Sequence, residues 1–294
     1  MHPVSRAGTS PHRAVALEST LLLHGIPKGE APALDRELRS LCAERGVTPL
    51  LVALLAGVPI VGLNEEELAD LLTAWHVPKA NTANLGLLLY ARSHGATTVS
   101  TTMELASAAG VRVFATGGLG GAHKNFGNAW DVSSDLVALT RIPMAVVASG
   151  VKSLLDIEST REMLETVGVP CVGFRTDQFP AFYMRSSGAK LDARFDDERE
   201  LAAFLAFETK RTGRAVLVCN PIPEADEIDE GRWGAWLREA ERAVADAEVS
   251  GRDVTPALLA ELHRASGGAT LRANLALVRS NVRLAAGIAA HWGE

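Results

Sequence analysis

Two side chains stand where an apolar run gives way to a group that can move a proton or attack a carbon. Glu18 ends the run 14–17, and Lys152 follows the run 144–148 after Ser149-Gly150-Val151. A carboxylate at a strand end is placed for acid–base work in a cleft, and equally for capping the next turn. A lysine behind a buried strand can serve as a nucleophile once it has lost its proton, and by its pattern it is equally a helix-start lysine in water. Most of the other residues capable of chemistry lie at 112–153. Thr116-Gly117-Gly118-Leu119-Gly120-Gly121 sets four glycines in six residues, a turn whose N–H groups can approach an anion, so it is a candidate phosphate cradle. His123, Lys124, Asp131, Ser133, Ser134 and Asp135 follow, the last of them at the start of a helical pattern where caps and free N–H groups bind charged ligands. Read singly, His123 is a loop histidine, Asp131 a turn cap and Lys79 a surface lysine after a helix.

The literal runs carry more. ALEST at 16–20, TGGLGGAH from Thr116, DVSSDL at 131–136 and SGVKSLLDI at 149–157 resemble the pseudouridine-5′-phosphate glycosidase family, also known through indigoidine-cluster homologues. The likeness continues through TDQFPAF at 176–182, NPIPE at 220–224 and Ser266-Gly267-Gly268, with Asn274 beyond, and covers nearly the whole chain. It implies an α/β protein, a layered α/β/α fold with a central mixed sheet. It also implies Glu18 as general acid/base, Lys152 as nucleophile and Asp131 as ligand of a divalent metal, manganese with magnesium as the other candidate. Lys79, Val99, Thr116, His123, Ser133, Ser134, Asp135 and Asn274 fall at substrate-binding positions of the family, whose members are homotrimers. Ser134 stands where alanine is usual.

The chemistry so implied is the making or breaking of a carbon–carbon bond between ribose 5-phosphate and an aglycone such as uracil or a natural-product ring. Carbon offers an acid no lone pair, so two carboxylates of the glycosidase kind are insufficient. A lysine that attacks C1 of the opened sugar forms an iminium, and this electron sink lets a carbon nucleophile leave or add. Lys152 must then be neutral, which burial behind its apolar run or a neighbouring cation such as Lys79 would favour. Glu18 must shuttle protons, for which a raised pKa is expected.

The chain departs from the family around the site loops. Ile26-Pro27-Lys28-Gly29-Glu30-Ala31, Ala56-Gly57-Val58, Asn81-Thr82-Ala83-Asn84 and Asn125-Phe126-Gly127-Asn128-Ala129, with Trp130 next, replace the usual segments, while Glu18, Lys79, Asp131 and Lys152 remain. These changes predict a C-glycosynthase of C-nucleoside natural-product biosynthesis, with uracil a poor co-substrate. The alternative is a glycosidase that releases uracil from pseudouridine 5′-phosphate, and from another class a noncatalytic sugar-phosphate-binding relative. A phosphate-loop kinase would need Lys-Ser/Thr after the glycines, which TGGLGGAHKN lacks.

A chain of 294 residues that are 47% apolar suffices for a full core, and no linker divides it. Residues 1–12 read as a disordered tail and 13–294 as a single catalytic domain. A net charge of −6 without a basic, aromatic-interleaved stripe speaks against a nucleic-acid polymer as partner. Cys42, Cys171 and Cys219 have neither metal spacing nor an even count, and no stretch of 18 apolar residues or leader is visible, so a cytoplasmic protein without membrane spans is expected. Residues 50–55 and 58–63 about Ala56-Gly57 predict a strand pair, and helical periodicity is read over 31–46, 64–75, 83–92, 100–109 and 153–167. Thr97, Thr98 and Val99 open the fourth of these helices. Strands at 169–174 and 214–219 alternate with a helix over 197–212, and residues 232–247, 255–265 and 271–292 read as helices. The loop 175–187, rich in aromatic and polar groups, is expected to roof a small-molecule site.

Overall fold

The computed structural model describes residues 3–6, 10–124, 131–247 and 254–293. Its strands are β1 (Val4–Ser5), β2 (Ala14–Glu18), β3 (Thr48–Leu55), β4 (Val58–Val61), β5 (Lys79–Ala80) and β6 (Gly95–Thr97). They continue with β7 (Val113–Ala115), β8 (Ala145–Ala148), β9 (Cys171–Phe174), β10 (Ala193–Phe195) and β11 (Val216–Cys219). All join one sheet in the order β1-β4-β3-β2-β7-β8-β11-β9-β10, with β6 also beside β3 and β5 beside β6. From β3 to β10 every neighbouring pair is parallel, whereas β4 and β6 run antiparallel to β3. The sheet is therefore mixed.

Its central strands are buried along their whole length because helices cover both faces, as parallel sheets require. Side chains alternate between two cores. Val15 and Leu17 of β2 join one core with α1 (Ala31–Ala43), α7 (Glu198–Thr212), α8 (Glu230–Asp246) and α10 (Ala269–Ala290), while Ala14 and Ala16 join the other. That second core includes α3 (Leu85–Tyr90), α4 (Val99–Ala108), α5 (Ser134–Arg141) and α6 (Ile157–Thr166). The result is the α/β/α layering. The remaining helices are α2 (Glu65–Thr73), which Asn64 and Glu67 start with a reciprocal capping box, and α9 (Val254–Ala265). No helix among the described residues is long and apolar enough to cross a membrane.

Several expectations are adjusted. Part of the supposed tail is ordered: Val4–Ser5 pairs with β4, and Arg6 holds both carboxylate oxygens of Glu67. Lys79 lies in a strand paired to β6, so it is anchored by a ladder. Thr97 closes that strand, and the helix begins at Val99. The helix after Lys152 begins only at Ile157, capped by Asp156 accepting from the Ser159 N–H at 2.9 Å. β10 and a π-helical turn at Leu21–Gly25 have no counterpart in the expected pattern. Such turns interrupt regular hydrogen bonding and recur beside functional sites, and this one directly follows Glu18-Ser19-Thr20.

Candidate active site

The carboxyl ends of four adjacent parallel strands converge: β2 ends in Glu18, β7 leads to Thr116, β8 to Ser149 and β11 to Asn220. Ligands of open α/β sheets sit beyond such ends. Glu18 is only 8% exposed, and its Oε1 accepts a hydrogen bond from the Thr116 hydroxyl. Burial raises the Glu18 pKa; Lys152, the Thr116 hydroxyl and Lys79 oppose that shift, and Asp135 reinforces it. The carboxyl thus keeps its proton to higher pH than an ordinary glutamate, as an acid catalyst requires.

Lys79 reaches the same place through a chain of hydrogen bonds that starts next to Glu18. Ser19 Oγ accepts from the Thr97 N–H at 2.9 Å, and Thr20 Oγ1 donates to the Thr97 carbonyl at 2.8 Å, which clamps β6 to the end of β2. β6 in turn pairs Ala96 with Lys79, and His24 in the π-helical turn bonds the Val77 carbonyl at 2.9 Å. Crowding by protein lowers the Lys79 pKa, the Lys152 cation lowers it further, and Glu18 opposes both.

The glycine turn acts on its own chain. Leu119 N–H donates to the Gly150 carbonyl at 3.0 Å and the Lys152 N–H donates to the Leu119 carbonyl at 3.1 Å, so the turn runs as a parallel bridge beside the segment that carries Lys152. The Gly120 N–H donates to Asp135 Oδ2 at 2.9 Å, and a Cβ at Gly120 would press on Ser133 and, at 2.8 Å, on that same carboxylate oxygen. At Gly118 a Cβ would meet the Phe182 ring at 2.6 Å. The expected phosphate cradle is thus corrected in part: the glycines permit close packing against the segment that carries Lys152, and the Thr116, Leu119 and Gly120 N–H groups are already occupied.

Asp135 is buried, and its Oδ1 also accepts from the Ser100 N–H at 3.0 Å. It ties α4, α5 and the glycine turn together. Ser133 caps α5 by accepting from the Asp135 N–H, and Ser134 shares a 3.1 Å hydroxyl contact with Ser100. Val99 is 1% exposed in the second core, which leaves its backbone as the part able to meet a ligand. Asn274 lies over the glycine turn, its Oδ1 3.4 Å from where a Cβ on Gly117 would stand.

Two expectations fail here. Lys152 is exposed at its side chain although Ala148 and Val151 before it are wholly buried, because the chain turns out of the sheet at Gly150 (φ +75°). The loop 175–187 is a support more than a roof. Phe179, Ala181, Phe182 and Tyr183 are buried, Phe182 donates its N–H to the Ser149 carbonyl at 2.9 Å, and Ser153 Oγ donates to the Ala181 carbonyl at 2.7 Å.

His123 and Asp131 face each other across a short antiparallel bridge, Nδ1 to Oδ2 3.7 Å, both open to solvent. No group of three or more His, Cys, Asp or Glu side chains able to hold a metal occurs among the described residues. A single solvent-facing carboxylate fits a hard divalent ion that keeps most of its waters and takes its other ligands from substrate. The stretch 125–130, which carries Asn125, Phe126, Asn128, Ala129 and Trp130, lies outside the described residues. Asn81 and Asn84 use their side chains on their own turn: Asn84 accepts from the Asn81 N–H at 2.8 Å and donates to the Lys79 carbonyl at 2.9 Å, and Asn81 accepts from the Ala83 N–H at 2.9 Å.

The polar residue missed in the sequence is Asn281. Wholly buried on α10, it donates to the Thr116 carbonyl at 2.8 Å and to Ser149 Oγ at 3.1 Å, and it accepts from Asn220 Nδ2 at 2.9 Å. One amide thereby joins β7, β8 and β11 at the edge where the site opens. Its signal is an amide on a mainly apolar helical stripe with Asn274, Leu277, Ala285 and Ile288.

A family model described as indigoidine synthase A like protein matches residues 3–291. The chain belongs to the indigoidine synthase A-like family. Among this family's proteins, the pseudouridine-5′-phosphate glycosidase of Nocardioides sp. is 43% identical over 279 residues, 95% of this chain and 91% of that one. The indigoidine synthase A-like protein of Thermotoga maritima superposes with a TM-score of 0.88 at 36% identity, covering 98% of this chain and 96% of its own. The prealnumycin C-glycosynthase AlnA, crystallised with ribulose 5-phosphate, superposes at 0.89 with 32% identity and the same coverage.

Proposed function

We propose that this family member is an enzyme that reversibly cleaves and forms the C–C glycosidic bond between ribose 5-phosphate and a heterocyclic carbon, with pseudouridine 5′-phosphate as substrate and uracil as the released base. The observation that carries it is the gathering of Glu18, Lys152 and Lys79 at one sheet edge, with Glu18 buried against Thr116. Relatives named for this activity support the choice of substrate.

In the cleavage direction Lys152 Nζ takes the place of the ring oxygen on C1, and Glu18, protonated through its burial, gives that oxygen its proton as the C1–O bond breaks and the sugar opens. Glu18 then takes the proton that the new C1–N ammonium sheds and gives it to the departing base carbon as the C1–C bond breaks, which leaves a C1 iminium on Lys152. Water then hydrolyses the iminium, returning the lysine and ribose 5-phosphate. Lys79 contributes positive charge beside both groups. Ser133, Ser134, His123 and Asn274 lie around the glycine turn as the groups for sugar and phosphate. Asp131 would hold the divalent ion, manganese or magnesium, which supplies charge neutralisation for the phosphate.

The C-glycosynthase reading remains the second. The structural likeness to AlnA and the sequence departures at 125–130 favour it. Asn81 and Asn84 do not, since turn hydrogen bonds occupy them. A noncatalytic relative would have no need to keep Glu18 buried against Thr116. The homotrimer belongs to the same proposal, with Trp75 (100% exposed), Tyr90 (91%) and Leu87 (71%) as apolar surface to cover.

Borohydride trapping with ribose 5-phosphate, followed by peptide mass analysis, tests the assignment: the label is expected on Lys152. A label on Lys79, or none under turnover conditions, would sink it. Release of uracil from pseudouridine 5′-phosphate at about 10⁴ M⁻¹s⁻¹ or above distinguishes the glycosidase from the synthase reading.

A further inference from the structure

Beside Glu18 lies a small cavity of about 10 Å³ that Glu18, Thr116 and Asp35 line together with apolar side chains such as Leu38 and Val278. Asp35, on α1, is 1% exposed. Its Oδ2 accepts from Arg39 Nε at 2.6 Å, while its Oδ1 is buried without a partner among the described residues. A buried oxygen left so is costly, and native proteins commonly meet such a need with a bound water. The cavity is of the smallest size that admits one, roughly 10–15 Å³. Asp35, Glu18 and Thr116 are the polar residues among its mainly apolar lining, and a buried water makes two to four polar contacts.

We propose that the cavity holds one water shared between Asp35 Oδ1 and the Glu18–Thr116 pair, which makes Asp35 a positioning residue for the proton that Glu18 gives and takes. The inference rests on the reading of Glu18 as acid/base. Glu18 also feels Lys152 beyond β8, Lys79 on β5 and Asp135 on α5; Asp35 feels Arg39 and Arg36 on its own helix and Glu65 on α2. Burial raises the pKa of Asp35 against the pull of Arg39, so both carboxyls hold protons beyond the ordinary range. The water passes a proton between them without change of total charge: Asp35 gives one proton to the water as the water gives one to Glu18. The Asp35 carboxylate left behind stays paired with Arg39. Glu18 is reloaded from inside the fold while its other side faces substrate.

The test uses the full chain and the variants Asp35→Asn and Asp35→Leu. Carbon-13 titration of the Glu18 carboxyl does not depend on turnover, so its outcome is separate from that of the glycosidase reading. The expected result is a water in the cavity in a high-resolution crystal structure, with the Glu18 midpoint moved by about half a unit in Asp35→Asn, because an amide replaces the carboxyl that shares the water with Glu18. Asp35→Leu, which fills the space, is expected to lower kcat on pseudouridine 5′-phosphate about tenfold with KM within about twofold, the pattern of a lost proton-transfer contribution. An empty cavity, or a Glu18 midpoint unchanged in both variants, overturns the proposal and leaves Asp35 as the partner of Arg39 alone.

Discussion

The floor of the site and its rim are built by different means. On the floor, Glu18, Thr116, Ser149 and Asn220 sit at strand ends that hydrogen bonds lock together, and Glu18 has lost nearly all contact with water. On the rim, His123 and Asp131 are held by a two-residue bridge and face solvent. On the floor, where water is excluded, burial raises the pKa of Glu18. In the proposed function the rim takes the ion and the phosphate, and the floor takes the acid–base chemistry. The contrast predicts that floor substitutions act on kcat and stability together, whereas rim substitutions act on binding and leave the fold alone.

The largest effect is expected at Glu18. Glu18→Gln should lower kcat by about 10²–10⁴-fold, the range for loss of a general acid. The same change should raise the melting temperature at neutral pH. The sign follows from linkage: the folded-state pKa of Glu18 lies above its unfolded value, so the folded state binds the proton more tightly. Stability therefore falls as pH rises from the unfolded pKa through the folded one, and a neutral amide escapes that loss. Thermal unfolding of both proteins at pH 5 and pH 8 measures it. A variant that is less stable than wild type at both values would contradict the burial argument.

Next is Asn281, which ties the floor from behind. Asn281→Leu removes the amide partner of the Thr116 carbonyl, while Ser149 Oγ keeps its bond to the Asn220 carbonyl and Asn220 Nδ2 its bond to Ser280, and a buried group left unpaired costs about 1–3 kcal/mol. Denaturant titration should show a loss of about 1–3 kcal/mol, and kcat should fall with it. If stability drops and kcat per folded molecule holds, the floor tolerates displacement, and its precision is less than the hydrogen bonds imply.

The smallest effect is expected on the rim. Asp131→Ala should weaken manganese binding, measured by calorimetry, by about 10- to 100-fold, while the melting temperature without metal stays within about 1 °C, since the residue is exposed and carries no core contact. Unchanged manganese affinity would take Asp131 out of the ion site and erase the division of labour between floor and rim.

Element types were legible wherever a segment repeats its own pattern. The apolar runs of β2, β3, β8 and β11 and the hairpin at Ala56-Gly57, with both residues at positive φ, follow from local sequence because burial on both faces and turn geometry are imposed residue by residue. Short edge pieces such as β5, β6 and β10 were not, since two or three residues carry no periodicity and become strands only when a neighbour offers its hydrogen bonds. The same division applies to the site.

The sequence by itself determined which reactive residue types exist and which literal runs hold them: Glu18 in ALEST, Lys152 in SGVKS, Asp131 and Asp135 in DVSSDL. Tertiary structure decided which of them are buried and what each one touches. It turned Lys152 outward and Asp135 inward, bridged the glycine turn to the segment that carries Lys152, and set Asn281 and Asp35 behind the floor. The reason is that burial and hydrogen-bond partnership arise between segments distant in the chain, Thr116 with Glu18 and Asn281 with both Thr116 and Ser149, and no local spacing encodes them.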